Sequence, residues 1–144
     1  MKIPKQLIIL LVLGFIISSE TGCIKKGPDD PFISLRTRQS RLCQDWILVK
    51  YEKNDGNIDL SGTYSEWNFH DNSTIDQTEE GILFGFTIRT TNTGSWSFTN
   101  SKKDVSVIIN NQTTDYVIDR LAAKELWLTR YDGSDTYFLH FNLR

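Results

Sequence analysis

From Trp46 to Leu143 the chain is written in short runs rich in Val, Ile, Thr, Tyr, Phe and Trp, broken every eight to twelve residues by Asn, Asp, Gly or Lys. β-branched and aromatic residues in runs of this length, bounded by turn formers, specify strands, and their even spacing leaves no room for helices between them. The expectation is all-β, with consecutive strands pairing through short turns. Trp46–Lys53, Thr63–His70, Ser73–Thr78, Gly94–Thr99, Asp104–Asn110, Thr114–Leu121, Glu125–Tyr131 and Thr136–Leu143 read as strands. Asp71-Asn72, Asn110-Asn111 and Asp132-Gly133 read as tight turns. Ile82, Phe84, Phe86 and Ile88 alternate with Leu83, Gly85, Thr87 and Arg89, which predicts a further strand with its even-numbered face buried.

A meander of about eight strands is left with two open edges unless the first strand pairs with the last, and open edges invite aggregation. A closed, single antiparallel up-and-down barrel is therefore the economical architecture. An eight-stranded barrel is just wide enough to be filled by side chains or to hold one small molecule. Trp46, Trp67, Phe69, Phe84, Phe86, Trp96, Phe98 and Trp127 are bulky enough to fill it, and the same eight are the candidate ligand-lining residues.

The part of the chain ahead of the strands has a different texture. Lys2 and Lys5 precede an unbroken apolar run of 11 residues, Leu7 to Ile17, and then a small, polar stretch, Ser18 to Gly22, ending at Cys23. This order is that of a secretory leader. As a helix the run covers roughly 16 Å, about half of a hydrocarbon core, so it is too short to span a membrane. A cysteine just past a small residue marks a bacterial lipoprotein signal, with Glu20 standing where such signals carry an aliphatic residue. Residues 1–22 are thus expected to be removed and Cys23 to be the lipid attachment point, palmitate among its acyl groups. Multiple acyl chains anchor stably, so the expected address is the cell envelope, at the outer membrane.

Lys2, Lys5 and Glu20 leave with the leader, so the 16 basic and 18 acidic side chains of the whole chain become 14 and 17. That balance excludes a nucleic-acid partner, which requires a basic excess on one face. The remaining 122 residues make one domain. Residues 23–42 read as an anchored tether, Ile24 to Pro31, followed by a short helix capped by Ser34. Arg36, Arg38 and Arg41 sit on that helix, which reads as a solvated lid. Residues 43–144 form the barrel domain.

The catalytic inventory is thin. His70 and His140 lie far apart in sequence, without the spacing of a metal site. No GxSxG, Gly-rich phosphate loop or CxxC occurs. Once Cys23 is acylated, Cys43 is the one remaining thiol, which reads as structural. Glu79-Glu80 and Asp115 or Asp119 could pair as an acid and a base, but solvated edges account for them. No enzyme activity, metal or cofactor is expected.

Asp45-Trp46-Ile47-Leu48, Glu66-Trp67-Asn68-Phe69 with Asp71-Asn72-Ser73, Gly94-Ser95-Trp96-Ser97-Phe98, and Leu121 to Leu128 ending in Glu125-Leu126-Trp127-Leu128 occur in one order along the chain. In that order they resemble the lipocalin-like domain of lipoproteins from Gram-negative envelopes, across nearly all of residues 43–143. Gln44 stands where lipocalins place a Gly two residues ahead of the first-strand Trp. The resemblance implies an antiparallel barrel of about eight strands with an apolar cavity. It further implies a non-catalytic, membrane-anchored protein that binds a small hydrophobic ligand in or at the mouth of the barrel. A filled barrel that contacts envelope protein partners is the alternative.

Overall fold

The computed structural model describes residues 36–144. The leader, Cys23, the tether and Ser34 lie outside the described residues. The chain opens with a single-turn helix, α1 (Arg38–Leu42), whose N-cap is Thr37: its side chain accepts from the Ser40 N–H at 3.0 Å. Nine strands follow: β1 (Asp45–Lys53), β2 (Gly56–Ile58), β3 (Tyr64–Phe69), β4 (Thr74–Leu83), β5 (Phe86–Thr99), β6 (Asp104–Ile109), β7 (Gln112–Leu121), β8 (Glu125–Asp132) and β9 (Asp135–Leu143). All pairings are antiparallel. The sheet closes because β1 pairs with β9, from Trp46 opposite Leu143 to Lys53 opposite Tyr137. The barrel therefore has eight staves, β1 and β3 to β9. The short β2 is a hairpin extension of β1 through Asn54-Asp55, both left-handed.

One end is sealed. Trp46 is fully buried beside Leu42, and its indole N–H donates to the Leu42 carbonyl at 2.9 Å, which ties α1 to the start of β1. Above it the rings of Trp67, Phe69, Trp96, Phe98 and Phe141 meet in a chain of tilted and edge-on contacts 5.1–6.1 Å between centroids. Ile75, Val105, Val107, Ile118, Leu121, Leu126 and Leu128 fill the space between them. This half of the barrel is packed by side chains alone.

Gly94 explains why β5 can cross this packing. A Cβ there would stand 2.0 Å from the Ile108 carbonyl oxygen and 2.8 Å from the Ile109 side chain, so only glycine fits where β5 passes β6.

The apolar stretch at residues 82–88 departs from the sequence expectation. Leu83 pairs with Phe86 across a two-residue turn in which Phe84 has φ 51° and Gly85 φ 81°. Both residues in the left-handed region make this a type I′-like connection. Ile82 and Leu83 therefore end β4, and Phe86 and Ile88 begin β5. The expected buried face does not form: Phe84 is 91 % exposed, Phe86 74 % and Ile82 67 %. The alternation that reads as one strand belongs to two, folded back on each other beyond the barrel wall.

Three changes separate these regions. Phe141→Ala, at a fully buried site, should cost about 3–5 kcal/mol. Gly94→Ala should cost about 2–4 kcal/mol, because the added methyl displaces backbone. Phe84→Asn should be neutral or slightly stabilising, since Asn tolerates positive φ and Phe does not. Urea unfolding followed by tryptophan fluorescence would rank the three, and a Phe84 variant as damaged as the other two would contradict the exposed hairpin.

Candidate binding site at the open end of the barrel

Register decides which side chains enter the lumen, since directly opposed residues of antiparallel strands point to the same face. Leu126, Leu128 and Arg130 of β8 stand opposite Phe141, Leu139 and Tyr137 of β9. Leu48, Tyr51 and Lys53 of β1 stand opposite Phe141, Leu139 and Tyr137 from the other side. Moving from the sealed end to the open end, the inward face thus passes from Leu and Phe to Tyr, Arg and Lys.

At the open end these polar side chains form a cluster. The Arg130 guanidinium lies 4.2 Å from the Tyr137 ring centroid, and the Tyr51 ring stacks on Tyr137 at 6.0 Å and 23°. Tyr116, buried on β7, meets Trp67 edge-on at 5.5 Å and so connects the cluster to the packed half below. Arg130 and Thr114 are hydrogen-bonding neighbours of its hydroxyl. Burial raises the Tyr51 and Tyr116 phenols above their ordinary range, outweighing the opposing effect of Arg130, so both keep their protons at neutral pH. Lys53 lies 5.4 Å from the Tyr137 centroid and is paired with Asp135 at 2.7 Å.

Among the described residues, clefts adjoin the barrel at two places. One, of about 390 Å³, runs along the β1–β2 hairpin between Val49 and Leu60 and includes Tyr51. The other, of about 510 Å³, lies at the sealed end and includes Cys43, Phe69, His70, Asp71 and Arg144. Of the eight expected lining residues, only Phe69 reaches either cleft. Trp46, Trp67, Trp96 and Phe98 are packed within the barrel, where Phe98 is partly buried.

Three of the eight lie off the lumen. Phe84 and Phe86 lie on the exposed hairpin. Trp127 faces outward, because Leu126 and Leu128 take the inward phase of β8. Its ring is sandwiched between His140, stacked at 4.8 Å and 11°, and the Arg120 guanidinium at 5.1 Å. The signal for Arg130 was present in the sequence: it is a charge in phase with the two buried leucines.

The remaining chemistry-bearing residues are dispersed. His140 sits on the outer wall, and His70 bonds Asp76 at 3.0 Å. Cys43 shares the sealed-end cleft with His70, but burial, reinforced by Asp71, pushes its thiol up, away from the nucleophilic thiolate. Thr129 donates to Asp119. Among the described residues no group of three or more His, Cys, Asp or Glu side chains is placed to hold a metal ion. Nor is any described helix long and apolar enough to cross a membrane.

Burial, with a smaller effect of Lys50, holds His140 below its ordinary range, while Glu52 and Asp119 oppose the shift. A base whose folded pKa is depressed favours folding while neutral, so its contribution is present above the ordinary value near 6.5 and is lost as pH falls through the folded value. Stability should decline on acidification below about pH 6.5, and His140→Gln should flatten that part of the curve. Nuclear magnetic resonance titration of the ring gives the direct check: a midpoint above the ordinary value would refute it.

No protein-family description and no curated protein matches the chain. Among solved structures it is similar to bovine odorant-binding protein bound to a selenium-containing odorant, at 13 % identity, covering 80 % of this chain and 78 % of that one, with a TM-score of 0.47. It is also similar to the bovine protein in complex with undecanal, at 14 % identity over 81 % and 77 % of the two chains, with a TM-score of 0.46. The siderocalin Ex-FABP, described as functioning through dual ligand specificities, is 11 % identical over 73 % and 75 %, with a TM-score of 0.46.

Proposed function

We propose that this is a lipid-anchored envelope lipoprotein whose lipocalin-like barrel binds a small, largely apolar ligand at its open mouth and does no chemistry on it. The observation that carries the reading is the aromatic cluster of Tyr51, Tyr116 and Tyr137 at the end of the barrel away from Trp46, with Tyr51 also lining the cleft of about 390 Å³ along the β1–β2 hairpin. Ligand sites are typically apolar walls with a few directed polar groups, and this end of the barrel has that composition. The raised Cys43 thiol and the dispersion of His70 and His140 support a non-catalytic role.

The anchor belongs to Cys23. Acylation there, followed by a tether of charges, Gly and Pro, would hold the barrel at a membrane face while leaving its mouth free. Cys23→Ser should move the protein from the membrane fraction to the soluble fraction, and continued membrane fractionation would defeat the lipoprotein reading. Ligand binding is tested by native mass spectrometry of the chain purified from its envelope: a co-purified small molecule supports the carrier role.

A second reading, contact with an envelope protein, is favoured by the exposed hairpin around Phe84. Crosslinking from position 84 in intact envelopes separates the two readings. Capture of one defined protein that is lost in Phe84→Ser, without any co-purified small molecule, would favour the partner role over the carrier.

A further inference from the structure

We infer that the open end of the lumen is a carboxylate site, with Arg130 as the counter-ion for a short aromatic or apolar acid. The inference rests on the binding role proposed above and names the chemistry of its ligand.

Arg130 enters the lumen on the phase of Leu126 and Leu128, within a wall that is apolar below it. Its Nε is buried and has no hydrogen-bond partner. Among the described residues the carboxylates are committed elsewhere or distant: Asp135 pairs with Lys53, Glu125 with Arg120, Glu66 with Arg89 and Arg144, and Glu52 with Lys50. Among the described residues no carboxylate pairs with Arg130. The contrast with Lys53 is informative: that cation is exposed at the rim and has Asp135 as its partner, whereas Arg130, more buried, has no carboxylate among the described residues.

Arg130 is only partly buried, but withdrawing its Nε from water without an acceptor is costly, and the Tyr137 face and the Tyr116 hydroxyl recover only part of that cost. A carboxylate would restore the balance. Guanidinium and carboxylate match as planar forks, so the pair would gain two charge-assisted hydrogen bonds in a fixed orientation. The protonated hydroxyls of Tyr51 and Tyr116 add donors and no competing negative charge. Below the head, the slightly exposed edges of Leu139 and Trp67 are the apolar surface a ligand body would meet. Packing of the lower half limits the body of the ligand to a short one.

The test compares phenylacetate with 2-phenylethanol, which share a ring and differ in the charged head. Calorimetric titration into the full chain, with empty micelles as the blank, should show the acid binding at least about tenfold more tightly than the alcohol. Arg130→Gln should remove that preference and leave the alcohol's affinity unchanged, while Arg130→Lys should keep part of it. Thermal unfolding of Arg130→Gln should be no lower than that of the parent chain, since the group removed is an unneutralised charge. This guards against reading a folding defect as lost binding. Equal affinity for acid and alcohol, unchanged in Arg130→Gln, would overturn the carboxylate inference and leave the apolar-ligand role standing. No binding of either probe would overturn the inference and count against the role as well.

Discussion

The pairing of β1 with β9 is the contact on which everything else in this chain depends. Every other ladder joins sequence neighbours through a short turn and could form locally, but this one brings Trp46 against Leu143, across almost the whole described chain. Its loop-closure cost is the largest of any pairing here. What it provides is an inside. Until β1 and β9 meet, the alternating apolar residues of eight strands face water on a curved sheet. Once they meet, the same residues share one lumen and both edges of the meander disappear. The Trp46 indole, bonded to Leu42 and fully buried, stands at the first register position of that closure, so sealing the barrel and plugging its end are one event.

Closure also imposes an axis along which polarity changes. At the sealed end the inward positions are Trp, Phe, Leu and Ile; at the open end the same strands offer Tyr, Arg and Lys. Outside, Glu66 is buried on the barrel wall beneath Tyr64 at 2.7 Å, Arg144 at 2.9 Å and Arg89 at 3.6 Å, which fastens the C-terminal residue and the base of the β4–β5 hairpin to β3. Beyond that fastening β5 loses its second neighbour, because β6 ends at Ile109 opposite Gly94. The free edge from Phe86 to Thr93 carries four threonines and Arg89. Such an edge remains able to accept another strand, and its one charged residue does little to discourage it.

Much of this was legible from residue types. Period-2 alternation around Trp67, Trp96 and Leu139 located the strands, and even spacing of turn formers implied a closed meander. The failures share one physical cause, which is that alternation reports a phase without reporting what lies on either side. At residues 82–88 a positive-φ pair at Phe84-Gly85 keeps the apolar period intact while reversing the chain, so a hairpin imitates a strand. At Trp127 the larger residue suggested the inside, but two leucines on the opposite phase outweigh one indole, and the outer wall offered Trp127 a stacking partner in His140. Size was a weaker guide than the count of apolar residues on each phase.

The same counting rule gives Arg130 its significance. A strand that presents Leu, Leu and Arg on one face is inconsistent with a barrel whose only requirement is stability, since a leucine or methionine at position 130 would extend the apolar stack at no desolvation cost. Local rules broken without compensation inside the fold tend to mark positions used for something else. Here the compensation within the chain is partial, one tyrosine face and one tyrosine hydroxyl, and the neighbouring cation received a full partner in Asp135. The buried, unpartnered Nε of Arg130, beside an exposed Lys53 that has its own carboxylate, is therefore the feature of this end of the barrel that packing alone does not account for.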